Sequence, residues 1–508
     1  MKPEYIMLEE HLNAFINGEI KAQELKHTSA QLGIYQQRND KFMTRIRVPG
    51  GHISVGQFRD AARAIKQHNA GFIHLSTRQD MQVQDVPAEE VLPLIRALTD
   101  HGMPFIGGGG NTFRNIMAPP DSGIVSDDVF DVIAYARRLT RAMFSWEKAF
   151  KLPRKLKIGF FASSRDEHLA AIQDLGFIAM NKDGKPGFKV YGGGGMGRES
   201  AFGVLLFDWI PVEETARCAR AMTEMFYDHG NRENRMQARV RFILKRLGET
   251  EFKKLFMEYY SKAESGQSMP EWDYDLSGSL SRLKKFDTPE SAAREFQAWQ
   301  ELVVTPAKFN HETVSVLLRV PNGNLTSSQM ELIADLSEKC GLEFLRLTTE
   351  QNLLLPIVHK SALPEIFNFL NDISDNIDLC LKSFSGNIVS CVGANICKIG
   401  ILDSTAMAQK IADKLDELLI TSPELKTKLA NRIVEMIRIS GCLNSCSGHP
   451  AACIGMQGLK KKGEPHYTMF LREGDNKFEL SAPQEEPLPL DAAAEKVIDI
   501  LKQKFNLV

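Results

Sequence analysis

Four cysteines near the C-terminal end of this 508-residue chain form two close pairs. Five residues separate Cys391 from Cys397, and three separate Cys442 from Cys446. Four thiolates brought together can hold a tetrahedral zinc ion or a cubane iron–sulfur cluster. The wide first spacing favours the cluster, because structural zinc pairs usually stand roughly two to four residues apart. We therefore predict an iron–sulfur site, with zinc as the alternative.

Basic residues in the first third of the chain could form an anion site. The alternating pattern around Arg45 and Arg47 predicts a strand that carries both guanidinium groups on one face. The run Leu-Pro-Arg-Lys-Leu-Lys-Ile-Gly predicts a second strand, with Lys155 and Lys157 on one face. Two lysines on a strand face usually point to solvent, but next to the glycine run 107–110 they can equally line an anion pocket.

A second glycine run, 192–197, formally matches the G-x-G-x-x-G dinucleotide motif. A dinucleotide site also needs a helix that opens directly after the glycines. Residues 198–203 are a poor helix start, so we favour a backbone loop that lies against a large flat cofactor. The arginine-rich segment 232–246 that follows is either a solvated helix face or a source of cations for a polyanionic ligand.

The chain contains an internal duplication. Arg47-Val-Pro-Gly-Gly recurs as Arg319-Val-Pro-Asn-Gly, 272 positions later. The same offset relates two helix capping boxes and two Thr-x-Gln turns, Ser54 and Gln57 with Thr326 and Gln329, and Thr77 and Gln79 with Thr349 and Gln351. Three landmarks at one offset indicate a duplicated scaffold. Arg45 becomes Leu317 and Arg78 becomes Glu350, so the first copy keeps cations that the second has lost.

From about residue 40 to 475 the order of these motifs resembles the sulfite and nitrite reductases that carry siroheme and a 4Fe–4S cluster. The resemblance implies that the four cysteines bind the cluster and that the Cys446 thiolate also bridges to the siroheme iron. It implies that two arginines and two lysines hold the substrate anion, namely Arg45, Arg114, Lys155 and Lys157. The cofactor-binding set that it implies is Arg47, Thr77, Arg78, Gln79, Arg154, Gly193, Gly194, Gly195, Arg239, Arg241 and Asn444.

The resemblance also implies the reaction. Nitrite reductases of the family usually carry Asn at the position of Lys157, so we expect six-electron reduction of sulfite to sulfide. The alternative is a ferredoxin-type nitrite reductase, which makes ammonia, or a dual-substrate enzyme. A non-catalytic cluster or zinc protein is the alternative from another class, but it gives no reason for the pattern of Arg45, Lys155 and Lys157.

Composition narrows the partners and the compartment. The chain is 43% hydrophobic and 25% charged, and its formal net charge of −2 gives no bulk basicity for nucleic acid. No apolar run has the length of a signal peptide core or of a membrane span. We therefore expect a cytoplasmic protein without membrane contact. No flavin or NADPH module is visible, so electrons are expected from a ferredoxin or a separate flavoprotein subunit.

The expected fold is α+β, an internally duplicated, pseudo-two-fold architecture of mixed sheets with flanking helices. We expect an N-terminal helical segment, two ferredoxin-like half-domains, a siroheme- and anion-binding domain, a linker, and a domain that binds the cluster and siroheme. In that description the ranges are 1–40 for the helical segment, 41–103 and 311–376 for the half-domains, 104–262 for the anion-binding domain, 263–310 for the linker and 377–508 for the cluster domain.

Overall fold

The computed structural model describes residues 3–264, 276–287, 293–373, 384–420, 429, 432–433, 436–474 and 476–506. Two helices open the chain, and the first copy of the repeat follows them. These elements are α1 (Pro3–Ile16), α2 (Ala22–Ser29), β1 (Tyr35–Gln36), β2 (Phe42–Ile46), β3 (His52–Ser54), α3 (Val55–Gln67), β4 (Phe72–Leu75), β5 (Met81–Val86) and α4 (Val91–Asp100).

The next part of the chain has its own four-stranded sheet, in the order β6-β7-β8-β9, and its own apolar core. Its elements are α5 (Ile133–Met143), β6 (Ile158–Phe161), α6 (Glu167–Ala171), β7 (Leu175–Lys182), β8 (Lys185–Gly192), β9 (Val204–Pro211), α7 (Thr215–His229), α8 (Val240–Leu247) and α9 (Glu249–Lys262). Phe160, Phe177 and Phe188 pack together at its centre.

The second copy of the repeat and the C-terminal part complete the chain. Two helices, α10 (Leu276–Leu280) and α11 (Arg294–Val303), precede the second copy. The second copy comprises β10 (Val304–Pro306), β11 (Thr313–Leu318), β12 (Asn324–Leu325), α12 (Ser327–Lys339), β13 (Phe344–Leu347), β14 (Leu353–His359) and α13 (Leu363–Asp372). The C-terminal elements are β15 (Val389–Ser390), α14 (Gly393–Ile396), α15 (Ser404–Leu418), β16 (Ile437–Ser440), β17 (Ile454–Lys461), β18 (Glu464–Leu471), β19 (Ala482–Pro483), β20 (Leu488–Pro489) and α16 (Leu490–Phe505).

The two copies exchange one strand each. β3 of the first copy pairs with β13 of the second, and β12 of the second pairs with β4 of the first. The five-stranded sheets therefore run β1-β2-β5-β4-β12 and β10-β11-β14-β13-β3. Both predicted capping boxes are present, at Ser54 before α3 and at Thr326 before α12, and these two helices pack against each other. The duplicated α+β fold is confirmed.

The duplication extends beyond the half-domains. Ile158 of β6 lies opposite Leu175 of β7, and Ile437 of β16 lies opposite Ile454 of β17, both in parallel pairs. In each sheet the second strand of the parallel pair then forms an antiparallel hairpin, β7 with β8 and β17 with β18. The middle and C-terminal sheets are therefore equivalent at an offset of 279 residues.

Two of the expected domain boundaries differ from the observed elements. β1 lies within the expected N-terminal segment 1–40 but pairs with β2, so the first half-domain begins earlier. β10 lies within the expected linker 263–310 but pairs with β11, so the second half-domain also begins earlier. Residues 265–275 and 288–292 of that linker lie outside the described residues. Among the described helices, none is long and apolar enough to cross a membrane.

Candidate active site

The four cysteines come together at the ends of short elements. Cys391 follows β15, Cys397 follows α14, and Cys442 and Cys446 lie in the loop after β16. The Gly441 N–H donates to Cys391 Sγ at 3.3 Å. Burial and then the neighbouring Cys446 thiol raise the pKa of Cys391 to about 11. The pKa values of Cys397 and Cys442 are raised by burial first, and the charge of Cys446 also acts on both.

Electrostatic interactions connect the four cysteines, because the charge of Cys446 acts on the pKa values of Cys391, Cys397 and Cys442. Four thiols gathered in this way could hold a cubane cluster. Asn444 contacts the Cys442 thiol through both its backbone and its side chain.

Residues from both copies of the repeat fix the loop that carries Cys446. Thr77 Oγ1 donates to the Cys446 carbonyl at 2.8 Å. Arg438 Nη1 donates to the Ser447 carbonyl at 3.0 Å, and its Nη2 lies 3.4 Å from Glu350 Oε1. The Thr77 turn of the first copy and the Glu350 turn of the second therefore hold the same loop.

Arg45 and Arg114 are anchored on the first glycine run. Arg45 Nη1 donates to the Gly108 carbonyl at 2.6 Å. Arg114 donates to the Gly109 carbonyl from Nη1 at 2.8 Å and to the Gly110 carbonyl from Nη2 at 2.7 Å. Burial lowers the pKa of Arg114 to about 10, and the charge of Arg45 also acts to lower it. These contacts give each guanidinium a fixed direction.

Lys155 and Lys157 carry unpaired ammonium groups. Within the residues that the structure describes, neither Nζ has a hydrogen bond or an ion pair. Burial and then the charge of Arg239 lower the pKa of Lys155 to about 7. Burial and then the charge of Lys155 lower the pKa of Lys157. Because Arg114 also acts on the pKa of Lys155, the four predicted anion-binding cations form one electrostatically connected group.

The predicted strand through the two lysines is shorter than expected. Leu156 forms only an isolated bridge with Phe113, and β6 begins at Ile158. The Lys157 N–H donates instead to Asp174 Oδ2, at 2.7 Å, so it cannot join a ladder. The two lysines flank Leu156, which is buried.

Two buried carboxylates that the sequence did not single out hold this cation group in place. Asp174 is fully buried and its Oδ2 lies 2.7 Å from Arg239 Nη2. Asp80 Oδ2 lies 3.9 Å from Arg45 Nε, and burial raises the pKa of Asp80 against the opposing effect of the nearby arginines. At the offset of 272, Asp80 corresponds to Asn352 in the second copy, which has also lost the cations Arg45 and Arg78. The joint loss of the carboxylate and the cations is the sequence signal that could have revealed Asp80.

A third group of cations faces the second glycine run. Arg241 is 7% exposed, and its Nε and Nη1 have no hydrogen-bond partner in the described structure. A Cβ added at Gly195 would lie 3.1 Å from Arg241 Nη1 and 3.2 Å from Arg239 Nη2. Burial lowers the pKa of Arg241 to about 10, and burial also lowers the pKa of Arg154. An orphaned guanidinium beside a side-chain-free loop is suited to a carboxylate-rich ligand such as siroheme.

The glycines of this run have different tasks. Gly193 has φ +86°, and a Cβ at Gly194 would lie 2.1 Å from the Ala171 carbonyl oxygen. Those two glycines are required by the packing of the chain on itself. Gly195 instead opens space in front of Arg239 and Arg241, so within the predicted set Gly193–Gly195 it is the one that faces the cations.

Arg47 and Gln79, two predicted cofactor-binding residues, serve the scaffold instead. Arg47 is 1% exposed, donates to three carbonyls of the segment 106–114 and lies 4.1 Å from the centre of the Phe113 ring. Gln79 Nε2 donates to the Leu347 carbonyl of the other copy at 2.8 Å. Its equivalent Gln351 donates to the Leu75 carbonyl at 3.2 Å, which completes a reciprocal pair. Because both Nη atoms of Arg47 and Nε2 of Gln79 donate to backbone carbonyls, we do not assign these two residues to the cofactor.

Arg78 borders a cavity of about 610 Å³ that both copies line. Its guanidinium donates to the Ile158 carbonyl at 2.7 Å and to Gln173 Oε1 at 3.1 Å. Equivalent residues of the two copies face the cavity, Thr77 and Arg78 from the first copy and Thr349 and Glu350 from the second. The predicted anion ligand Lys157 and the predicted cluster ligand Cys446 also line it. Arg45, Arg114 and Lys155 lie outside this lining.

The duplication shows that the second copy cannot form the same anion site. Four cations near the first copy have uncharged or acidic equivalents. Arg45 corresponds to Leu317, Arg78 to Glu350 and Arg114 to Gly386 at the offset of 272, and Lys157 corresponds to Met436 at the offset of 279. The predicted anion-binding cations therefore lie on one side of the pseudo-symmetric scaffold.

Family models match more than half of the chain. A model described as the nitrite/sulfite reductase ferredoxin-like half domain matches residues 35–101 and 309–373. A model described as the nitrite and sulphite reductase 4Fe-4S domain matches residues 109–264. The two half-domain matches coincide with the two copies of the repeat. The four cysteines lie outside these ranges, so their assignment depends on their spacing and geometry.

Known relatives include reductases of both anions. The chain is 25% identical over 446 residues to a chloroplastic ferredoxin–nitrite reductase of Arabidopsis thaliana, covering 85% of this chain and 70% of the relative. It is 26% identical to a ferredoxin–nitrite reductase of Synechococcus elongatus, covering 94% and 88%. It is 23% identical to a ferredoxin sulfite reductase of Mycobacterium tuberculosis, covering 82% and 70%. The solved structure of the Mycobacterium tuberculosis NirA protein matches with a TM-score of 0.77 at 20% identity, over 98% of this chain and 93% of that one, and shows the same fold.

Proposed function

The chain belongs to the siroheme and 4Fe–4S sulfite and nitrite reductase family, and we propose that it reduces sulfite to sulfide. The observation that carries this proposal is the pair of unpaired ammonium groups of Lys155 and Lys157, next to Arg45 and Arg114. Sulfite carries up to two negative charges near neutral pH and nitrite carries one. A cluster of four partly desolvated cations matches the larger charge better.

The residues present fit both family cofactors. The four cysteines would hold the cluster, and Arg78, Arg154 and Arg241 would bind siroheme carboxylates. When bound, siroheme supplies an iron for the substrate and the cluster supplies electrons to it. The chain itself contributes position, charge and protons.

The four cations have separate tasks in the proposed reaction. Arg45 and Arg114, fixed by glycine carbonyls, orient the anion and polarise its S–O bonds. The conversion consumes six electrons and six protons, and each oxygen leaves as water. Lys155, with a pKa lowered to about 7, can give a proton to a departing oxygen at neutral pH and regain it from solvent. Lys157, whose pKa is also lowered, acts beside it.

We further propose ferredoxin as the electron donor and the cytoplasm as the compartment. Ferredoxin is part of the names of the relatives from Arabidopsis thaliana and Mycobacterium tuberculosis. A separate flavoprotein is the other possible source of electrons. A reducing compartment also protects the cysteines from disulfide formation.

Nitrite reduction is the second candidate. It is favoured by the relatives themselves, because ferredoxin–nitrite reductases match at 25–27% identity and the sulfite reductase at 23%. An enzyme that reduces both anions is compatible with the same cation group.

Replacing Lys157 by Asn tests the choice of anion. The change removes one positive charge but keeps a hydrogen-bond donor, so we expect the ratio of kcat/KM for sulfite to that for nitrite to fall at least tenfold. Lys182→Asn, at an exposed lysine of β7, is the matched control and should leave the ratio unchanged. Equal ratios in wild type and Lys157→Asn would contradict the proposed basis of selectivity.

A further inference from the structure

A turn with the same hydrogen bonds occurs in both copies of the repeat, between β4 and β5 and between β13 and β14. The Ser76 N–H donates to the Asp80 carbonyl at 2.9 Å, and the Thr348 N–H donates to the Asn352 carbonyl at 2.9 Å. The return bond is also repeated, from the Asp80 N–H to Ser76 Oγ at 3.0 Å and from the Asn352 N–H to Thr348 Oγ1 at 3.1 Å. The duplication therefore provides an internal comparison, in which one kind of turn carries Asp80 in the first copy and Asn352 in the second.

The side chains at this position have different partners. Asn352 Oδ1 accepts the Val320 N–H at 2.8 Å, so it satisfies the backbone of its own copy. Asp80 is 3% exposed, and its Oδ1 has no hydrogen-bond partner in the described structure. Its Oδ2 lies 3.9 Å from Arg45 Nε, which is too far for a hydrogen bond. Because burial of a carboxylate with an unpaired oxygen costs free energy, the folding of the turn does not explain why an acid stands here.

The surroundings of the Asp80 carboxylate are cationic. Burial raises the pKa of Asp80, and the charges of four arginines oppose that effect, namely Arg45, Arg47, Arg78 and Arg114. Burial lowers the pKa values of Arg47, Arg78 and Arg114, and the charge of Asp80 in turn opposes it. Four nearby cations favour the ionised carboxylate. Asp80 therefore places a negative charge beside Arg45 and Arg114, two members of the predicted anion-binding group.

We propose that Asp80 is a specificity-determining residue, which lowers the positive charge of the anion site and so limits its preference for a doubly charged anion. This inference rests on the proposed function, because it concerns the anion that the cation group would bind. Ionised Asp80 offsets one of the positive charges that the group carries on Arg45, Arg114, Lys155 and Lys157. Coulomb energy is proportional to the product of the two charges, so the offset weakens binding of a dianion twice as much, in free energy, as binding of a monoanion. Asp80 thereby keeps nitrite competitive with sulfite, and it acts through the field of the site without touching the anion.

Replacing Asp80 by Asn gives the first copy the residue that the second copy holds in the same turn. The change removes a negative charge and keeps the shape of the side chain, so both anions should bind more tightly. The measurement is an anion titration of the oxidised, cofactor-loaded protein, followed by visible absorbance above neutral pH, where sulfite is largely a dianion. If the Kd for nitrite falls about threefold, the Kd for sulfite should fall about ninefold, because its free-energy change is twice as large.

Three further variants separate the effect of this charge from changes of shape and of total charge. Asp80→Ser also removes the carboxylate, so it should shift the ratio of the two Kd values in the same direction as Asp80→Asn. Asp80→Glu keeps the charge and should keep the ratio close to wild type. Asp127→Asn removes the charge of a carboxylate that is 53% exposed, and it should leave the ratio unchanged, because solvent and salt screen an exposed charge.

Two results would overturn the role of Asp80. One is an unchanged ratio of the Kd values in both neutral variants, which would show that the carboxylate does not act on the bound anion. The other is weaker binding of both anions by the same factor, with a lower Tm, which would assign Asp80 to the stability of the arginines alone. No reduction of either anion by the wild-type protein with reduced methyl viologen would contradict the proposed function alone, since the titrations measure binding without turnover and would still support or refute the role of Asp80.

Discussion

Removing the charge of Asp174 should destabilise the protein more than removing any exposed carboxylate. Asp174 is fully buried and pairs with Arg239, which is 6% exposed in its side chain. It also accepts the Lys157 N–H. Loss of one partner of a buried ion pair costs about 3–5 kcal/mol, because the other charge is left without compensation. In Asp174→Asn one carboxamide oxygen remains as an acceptor, so we expect the lower end, about 3 kcal/mol of unfolding free energy.

Urea unfolding followed by circular dichroism measures this difference. The matched control is Asp127→Asn, since Asp127 is 53% exposed and pairs with Arg165 at the surface. Exposed pairs contribute about 0–1 kcal/mol, so the control should unfold close to wild type. A loss below about 1 kcal/mol for Asp174→Asn would instead show that Arg239 is stabilised without its carboxylate.

Three further results are expected. Burial, and then the neighbouring acid Asp121, raise the pKa of Asp128 to about 7. The protonated carboxyl therefore stabilises the folded protein fully below about pH 4, and this contribution, on the order of 2 kcal/mol after allowance for solvent, is lost as the pH rises through 7. Asp128→Asn should flatten the decline of Tm over that range. Arg241→Gln should weaken siroheme binding roughly tenfold in a visible-absorbance titration, because a siroheme carboxylate would lose the buried guanidinium that we expect it to pair with. Equal affinities of wild type and variant would contradict this role of Arg241. Gly194→Ala should lower Tm markedly, since its Cβ would meet a carbonyl oxygen at 2.1 Å, whereas Gly184→Ala, with nothing within 4 Å, should cost little beyond the strain of its positive φ; equal losses would refute the packing argument.

Much of the fold could be predicted because the duplication repeats local chemistry. The capping residues Ser54 and Thr326 begin helices at the same place in each copy, and that depends only on neighbouring residues. The exchange of β3 and β12 between the sheets could not be predicted. It depends on how two similar units pair across a long sequence separation, and neither strand carries a signal for its partner.

Some residues of the candidate site could likewise be identified from the sequence, and others only from the folded structure. The cysteines and the two lysines were identifiable by residue type and spacing. Arg47 and Gln79 have residue types that suit a ligand as well, and only their buried contacts with backbone carbonyls assign them to the scaffold. Asp174 was missed because a lone aspartate has no motif, and its importance comes from residues 17 and 65 positions away that meet it in the folded chain.

We propose that the cation group of Arg45, Arg114, Lys155 and Lys157 binds sulfite for its reduction. The most direct test is anaerobic turnover of the purified, cofactor-loaded protein with reduced methyl viologen, comparing sulfite with nitrite while the visible spectrum is recorded. We expect a siroheme spectrum and a higher kcat/KM for sulfite, with sulfide as the product. A siroheme spectrum with nitrite strongly preferred would contradict the substrate assignment, and absence of haem bands after reconstitution would contradict the account of the site.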